Sequence, residues 1–378
     1  MRLVHGIPSL DPAGGGPPVV VASLAAAQAA AGAEVTIAHG SAPGSEDRVA
    51  QLLKSTPGSE AVRVVHGPFE VGASEAKPDL LCLHGFWEPW LYAASQTAKQ
   101  QGLPYALTPH GMLHPWSLSQ KWLKKKVGMW LRYGAMLRGS LFVHALNRQE
   151  EQFIRDLDRS AEIEVIPNGV YPESFQGPED PGAFRRRHPS IGDAPLALFI
   201  SRLHFKKGLD ILAEAFAIAL ESAPELRLAV VGPDDGYEAE FRSHLDRRGA
   251  ASAVVMPGPL YGDDKLAALR DADCFCLPSR QEGFSIAISE ALACGTPCVV
   301  SHDCNYPEIT EAGAGVETSL DPQEVAKALL AVLSDRERAA QMGRAGREMV
   351  FERFTWPKIA ERALAISRAA LAEAESPA

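Results

Sequence analysis

Two glutamates eight residues apart bracket the segment Arg280-Gln281-Glu282-Gly283-Phe284-Ser285-Ile286-Ala287-Ile288-Ser289-Glu290. The run before it, CFCLP, reads as a strand, so Glu282 falls in the loop at that strand's exit. Ser285 is placed to cap a short helix that carries Glu290 and stops at Gly295. With a rise of about 1.5 Å per helical residue, the two carboxylates stand roughly 10 Å apart or more. That is too far to share a proton. It suits contacts with opposite ends of one extended ligand, with the N–H groups of Gly283, Phe284 and Ser285 between them. The plainer alternative for Glu290 is an ion pair with a surface lysine.

Other segments carry chemistry of the same kind. In Ser201-Arg202-Leu203-His204-Phe205-Lys206-Lys207-Gly208, an arginine fork and a lysine beside a helix start are suited to neutralising a pyrophosphate; a solvated basic loop is the alternative. Gly14, Gly15 and Gly16 precede a helix opening at Pro17-Pro18, where backbone can approach a ligand closely and a helix start attracts phosphate. The spacing is neither that of a dinucleotide loop nor that of a P-loop. His110 follows Thr108-Pro109, and His84 precedes Gly85-Phe86-Trp87. Each histidine is either a ligand contact or a packed residue, and the aromatics either stack on sugar faces or close a core.

These residues need elements to position them, and the chain supplies alternating ones. Strand-like runs fall at 2–7, 34–39, 63–66, 79–84, 105–109, 141–146 and 163–166, then at 196–202, 227–231, 254–256, 274–277 and 298–301. Helical stretches lie between them at about 17–31, 90–101, 117–137 and 148–157, then near 208–222, 237–248, 264–271, 285–294, 322–333 and 336–353. Such alternation predicts parallel sheets covered on both faces. Ligands of these sheets bind beyond the carboxyl ends of strands, where the residues above are found. The Pro-, Gly- and Asp-rich stretch 169–195 reads as a linker. The expected organisation is 1–168, the linker 169–195, a second domain 196–354, and a C-terminal helix over 355–378.

Composition narrows the classes. Of 378 residues, 46% are hydrophobic and 22% charged, as in a soluble globular chain. No apolar run is long enough for a membrane span, and the opening MRLVHGIPSLDP has no signal-peptide pattern, so a cytoplasmic protein is expected. The six cysteines have no zinc spacing. The net charge of −10 belongs wholly to residues 169–378. Pro89 to Gln149 contains no acid at all but eight basic residues, including Lys124, Lys125 and Lys126 beside Trp122 and Trp130. A basic, aromatic helix of this kind fits an anionic membrane surface or a lipid-pyrophosphate acceptor, with a plain solvated helix as the alternative. No nucleic-acid-binding motif is present.

Taken in order, the motifs resemble retaining glycosyltransferase family 4. The Glu282–Glu290 pair resembles its E-x7-E motif and Arg202-Leu203-x3-Lys207-Gly208 its R-L-x3-K-G site. The triple glycine, Pro109-His110-Gly111 and Pro167-Asn168-Gly169-Val170 fall where the family has them. The resemblance implies an α/β GT-B fold, two facing Rossmann-like domains with a deep interdomain cleft. It implies retaining transfer of a hexose-type sugar from a UDP- or GDP-sugar to a glycan or lipid-linked acceptor, without a metal or other cofactor. By the same resemblance Glu290 binds the ribose, and Arg202 and Lys207 hold the diphosphate. Glu282 and the amides of Gly283, Phe284 and Ser285 hold the transferred sugar, and His110 contacts it. Gly15 and Gly16 line the phosphate and acceptor side. The tail Phe354-Thr355-Trp356-Pro357 and its helix resemble the family's returning C-terminus.

The acceptor or membrane side is assigned His84, Trp87, Lys124, Lys125 and Lys126, which places the protein at the inner face of the plasma membrane. Rival readings are a nucleotide-sugar epimerase of the same fold and a catalytically silent partner. A nicotinamide-dependent dehydrogenase is disfavoured because its G-x-G-x-x-G loop is missing.

Overall fold

Aliphatic and β-branched runs such as LLCLH, YALT, LALFI and CFCL, too short for helices, form strands buried on both faces. The computed structural model describes residues 1–67, 77–176 and 180–375. It contains two units: Met1–Asn168 with the helix from Trp356, and Gly169–Thr355.

The first unit holds β1 (Arg2–Ile7), β2 (Glu34–His39), β3 (Arg63–His66), β4 (Leu80–His84), β5 (Tyr105–Thr108), β6 (Phe142–Ala145) and β7 (Ile163–Val165). They form one parallel sheet in the order β3-β2-β1-β4-β5-β6-β7. Alternation along a strand sends neighbours to opposite faces. Leu80 and Cys82 accordingly pack with Leu3, Ile7 and Val21, while Leu81 and Leu83 pack with Leu107 and Val143. The C-terminal helix Trp356–Glu375 lies against the first helix, Gly16–Ala30, and buries Leu364 in that unit's core.

The second unit holds β8 (Leu196–Ile200), β9 (Arg227–Val231), β10 (Val254–Gly258), β11 (Cys274–Leu277), β12 (Cys298–Ser301) and β13 (Gly315–Thr318). Its parallel sheet runs β10-β9-β8-β11-β12-β13 around a single core. In both sheets the strand order reverses once, between β1 and β4 and between β8 and β11. These are the points where open α/β sheets form ligand crevices. The six cysteines are free thiols, four of them buried.

Several expectations need correction. The described residues of 169–195 pack as part of the second unit and not as a linker. Phe175, Phe184 and Ile191 are buried in the second core, and Asp271 accepts hydrogen bonds from the N–H groups of Gly182, Phe184 and Arg185. The expected helix over 117–137 is broken into Pro115–Ser119, Trp122–Gly128, a π-helical turn Met129–Tyr133 and Gly134–Arg138, with Lys121 left-handed at the first break. Strand β13 and the helix Glu46–Ser55 were not anticipated. The first is short and half polar, and the second buries only Val49 and Leu52.

Candidate functional site

The second unit's switch point is built from charge. Leaving β8, the chain passes Arg202 and a single 3-10 turn, Phe205–Lys207, to Gly208. Gly208 has φ +69°, and a Cβ there would lie 1.9 Å from the carbonyl oxygen of Pro278 at the exit of β11. Only glycine lets the two loops touch. Across that contact Lys207 Nζ meets Glu282 Oε1 at 2.6 Å, with side-chain exposures of 16% and 8%. Ser279 Oγ donates to the same oxygen at 2.6 Å. The backbone of Glu282 is fixed on both sides: its N–H donates to Asp303 and its carbonyl accepts from Asn305 Nδ2.

Arg280 staples the two loops. It forks onto Asp210 at 2.6 and 2.7 Å, donates to the carbonyl of Phe205, and stacks 4.1 Å above the Phe205 ring. Its N–H also donates to Lys206 at 2.7 Å. Burial would raise the Asp210 carboxyl, but its bonds to Arg280 and the arginine charge hold it below the usual range. A planar fork over an aromatic ring is an arrangement lysine does not reproduce.

Arg202 and Glu290 stand outside this pair. Arg202 is half-exposed and engages Asp235. Glu290 Oε1 pairs with Lys265 Nζ at 2.6 Å, so the surface lysine weighed as its partner exists. Ser285 occupies the N-cap of the helix Ile286–Ala293, but its side chain makes no capping hydrogen bond. The ring of Phe284 packs against Tyr306 and Phe354. Asp271 and Asp273 are spent on backbone N–H groups and Arg185.

The first unit's switch point is built from neutral groups. Gly15, at φ +108° and ψ −148°, turns the chain from a 3-10 turn into the first helix. Its own N–H donates to Pro12, and Pro17 and Pro18 have none to offer. The phosphate cradle expected at Gly15 and Gly16 therefore shrinks to the N–H of Gly16.

Behind this loop three histidines stand in line across β1, β4 and the exit of β5. Gln28 Oε1 lies 2.7 Å from His5 Nε2, His5 Nδ1 lies 2.8 Å from His84 Nε2, and His84 Nδ1 lies 3.1 Å from His110 Nε2. The rings stack at centroid separations of 5.1 and 5.3 Å. Burial pushes His5 down to about 4 and His110 to about 3, and takes His84 well below its usual value, with His144 adding to each shift. All three are neutral at pH 7.

His110 is left-handed, with φ 52°. The buried Glu150 holds the turn, accepting from Gly111 N–H at 2.6 Å and from Leu146 N–H at 2.8 Å. Burial raises the Glu150 carboxyl, partly opposed by those two bonds.

Two assignments to the acceptor or membrane side fail here. His84, at 2% exposure, is enclosed between the other imidazoles and cannot reach an acceptor. Lys125 turns inward, donating to Ser117 O and lying 5.3 Å from the Trp87 ring, with burial lowering its ammonium. Trp87 itself is partly buried and donates to Met112 O. Lys124 and Lys126 remain exposed, together with Trp122, Leu123, Val127, Trp130 (83%) and Leu131. No helix among the described residues is long and apolar enough to cross a membrane. The reading of the sequence missed His5, Gln28, Glu150 and the Arg280–Asp210 staple. The visible signals were a histidine inside the RLVHGI strand and one glutamine in the otherwise apolar AAAQAA.

Two family models match this chain in succession: "Glycosyl transferase 4-like domain" over residues 15–169 and "Glycosyl transferases group 1" over 182–349. The chain belongs to the group 1 glycosyl transferases. This family member is 32% identical over 206 residues to a GDP-mannose-dependent alpha-(1-6)-phosphatidylinositol monomannoside mannosyltransferase of Mycolicibacterium smegmatis, covering 52% of this chain and 54% of that one. It is 28% identical over 360 residues to a D-inositol 3-phosphate glycosyltransferase of Segniliparus rotundus, covering 83% and 76%. The match spans about half the length of the first of these relatives. Among solved structures, sucrose-phosphate synthase from Thermosynechococcus elongatus has a TM-score of 0.75 at 22% identity, covering 99% of this chain and 100% of that one. Anabaena HepE in complex with UDP and glucose has 0.78 at 19%, covering 98% and 100%. The fold of the group 1 chain is GT-B.

Proposed function

We propose that this chain transfers a hexose, with retention of anomeric configuration, from a nucleoside diphosphate sugar to a lipid-linked or glycan acceptor. The observation that carries the reading is the Lys207–Glu282 couple, braced by Ser279 and the Arg280 staple at the β8/β11 switch point. It places a cation and an anion side by side where open sheets bind nucleotides. In this reading Arg202 and Lys207 take the diphosphate. Lys207 exchanges Glu282 for a phosphate oxygen, which frees the Glu282 carboxylate for a hydroxyl of the sugar. Glu290 exchanges Lys265 for the ribose hydroxyls. With two cations on the leaving group, no metal is required by the proposal. The backbone amides of Gly283, Phe284 and Ser285 lie on the sugar side, and His110 supplies a neutral imidazole.

GDP-mannose is the first donor to try, because the mannosyltransferase relative is named as GDP-mannose-dependent; UDP-glucose is the second. That relative's name includes a phosphatidylinositol acceptor, and the exposed surface here is consistent with a lipid. Trp122, Leu123, Val127, Trp130 and Leu131 are apolar and exposed beside Lys124, Lys126 and Arg132. Such a face docks on an anionic bilayer.

The test is turnover with each nucleotide sugar and a short lipid-linked acceptor, with NMR of the product's anomeric centre. The reading expects the donor's configuration in the product. An inverted product would end the retaining assignment, and a changed nucleotide sugar without acceptor would return the epimerase.

A further inference from the structure

The three stacked imidazoles carry an inference beyond the roles above, resting on the reading that His110 faces the transferred sugar. A neutral imidazole has one N–H donor and one lone-pair acceptor. A row of neutral imidazoles bonded ring to ring therefore has only two arrangements, with every proton pointing one way or the other. The group at the closed end of the row decides between them.

That group is Gln28, 2% exposed in the helix Gly16–Ala30, whose carbonyl oxygen faces His5 Nε2. An oxygen only accepts, so the His5 proton sits on Nε2. Nδ1 of His5 is then an acceptor, which requires His84 to be protonated on Nε2. Nδ1 of His84 is an acceptor in turn, which requires His110 to be protonated on Nε2. At the open end, Nδ1 of His110 is left with a lone pair and takes no partner among the described residues.

We infer that Gln28, through His5 and His84, is a positioning residue that fixes His110 in its Nε2–H tautomer, so that His110 presents a hydrogen-bond acceptor to a hydroxyl of the bound sugar. The alternative arrangement would present a donor and suit an oxygen without a proton. Tautomer choice thus becomes a specificity device acting about three rings away from the reacting centre. The neighbouring His144 does not enter the row: its Nε2 is engaged by the carbonyl of Ile166 at 2.6 Å.

The experiment is long-range 1H–15N correlation of the full chain labelled with 15N-histidine, in which the two tautomers and the imidazolium give distinct cross-peak patterns. His5, His84 and His110 are assigned by single substitution. The expected result at pH 7.5 is the Nε2–H pattern for all three. Gln28→Met keeps the side-chain size and removes the acceptor; the three rings then show mixed tautomers. Gln28→Glu, which keeps an acceptor there, returns the Nε2–H pattern. In turnover, Gln28→Met lowers kcat about threefold to tenfold with donor KM unchanged, and Gln28→Glu restores it.

An Nδ1–H pattern or an imidazolium in the wild-type protein would overturn the assignment without any variant having to fold. Mixed tautomers in Gln28→Met with unchanged kcat would overturn the link to catalysis. If the patterns hold while His110→Ala leaves turnover intact, the placing of His110 at the sugar fails and the relay survives.

Discussion

The two switch points occupy equivalent places in two sheets of similar topology, yet they are made from opposite materials. At β8/β11 the side chains are ionised and paired: Lys207 with Glu282, Arg280 with Asp210, Arg202 with Asp235. At β1/β4 they are neutral: a row of imidazoles, a glycine turn, and a first helix whose prolines remove two N–H groups. Ion pairs that exchange partners suit a charged ligand, and in the proposed function a diphosphate takes over the role of Glu282. Neutral imidazoles held by burial suit hydroxyls, which need direction rather than charge. On the proposed function, the charged switch point would hold the leaving group and, through Glu282, one sugar hydroxyl, while the neutral one would offer His110 to another.

The largest effect that sharpens this contrast is expected from Glu282→Ala. It leaves Lys207 without its Glu282 partner and removes the contact to the sugar that the proposed function gives Glu282. Turnover should fall by a factor on the order of 10² to 10³, and urea unfolding should show a loss of about 2–3 kcal/mol, below the range for fully buried pairs because water reaches Lys207. A loss under fivefold in kcat would mean that the charged switch point is structural.

Acid reads the neutral side. The folded values of His5, His84 and His110 lie below the ordinary one near 6.5. The unfolded chain therefore binds protons first as pH falls. Stability is fully present above about pH 6.5 and declines toward pH 4, at up to about 1.4 kcal/mol per pH unit for each imidazole. Urea midpoints from pH 7.5 to 4.5 would show it, and His5→Phe should shallow the slope. A flat profile would mean that the three imidazoles titrate alike in the folded and unfolded chain, and the comparison would collapse.

Next in size is Gly208→Ala, whose Cβ meets Pro278 at a positive φ. About 2–3 kcal/mol should be lost, against a few tenths for Gly16→Ala, where the added methyl meets nothing within 4 Å. Equal costs would contradict the close approach of the two charged loops. The smallest effect concerns the exposed helix: Lys124→Ser with Lys126→Ser should weaken binding to phosphatidylserine vesicles roughly thirtyfold, at about 1 kcal/mol per charge near the surface. Lys125→Ser should do less, because that ammonium already bonds Ser117 O. Unchanged sedimentation in the double variant would remove the membrane from the account.

The fold was readable because buried parallel strands demand short, nearly continuous apolar runs, and LALFI, RLAVV and CFCL are such runs. Glu282, Arg202 and His110 stood out as candidates because they are polar residues at strand exits, where open sheets bind ligands. What was not readable depends on contacts across sheets. His5 sits within a strand and resembles core until His84 is seen beside it. Lys125 is one of three adjacent lysines, and only the packing of Trp87 and Ser117 distinguishes it. The 169–195 stretch has the composition of a linker, yet it contributes Phe175, Phe184 and Ile191 to the second core.

The most direct test of the central assignment is the melting temperature of the purified chain with UDP, GDP and ADP, measured alongside Arg202→Ala and Glu290→Ala. A ligand of the folded state at a hundred times its Kd adds about 2.7 kcal/mol. One nucleoside diphosphate should raise the melting temperature by several degrees, and both variants should lose most of that rise. No rise with any of the three, or a rise that both variants keep, would contradict a diphosphate site at the charged switch point.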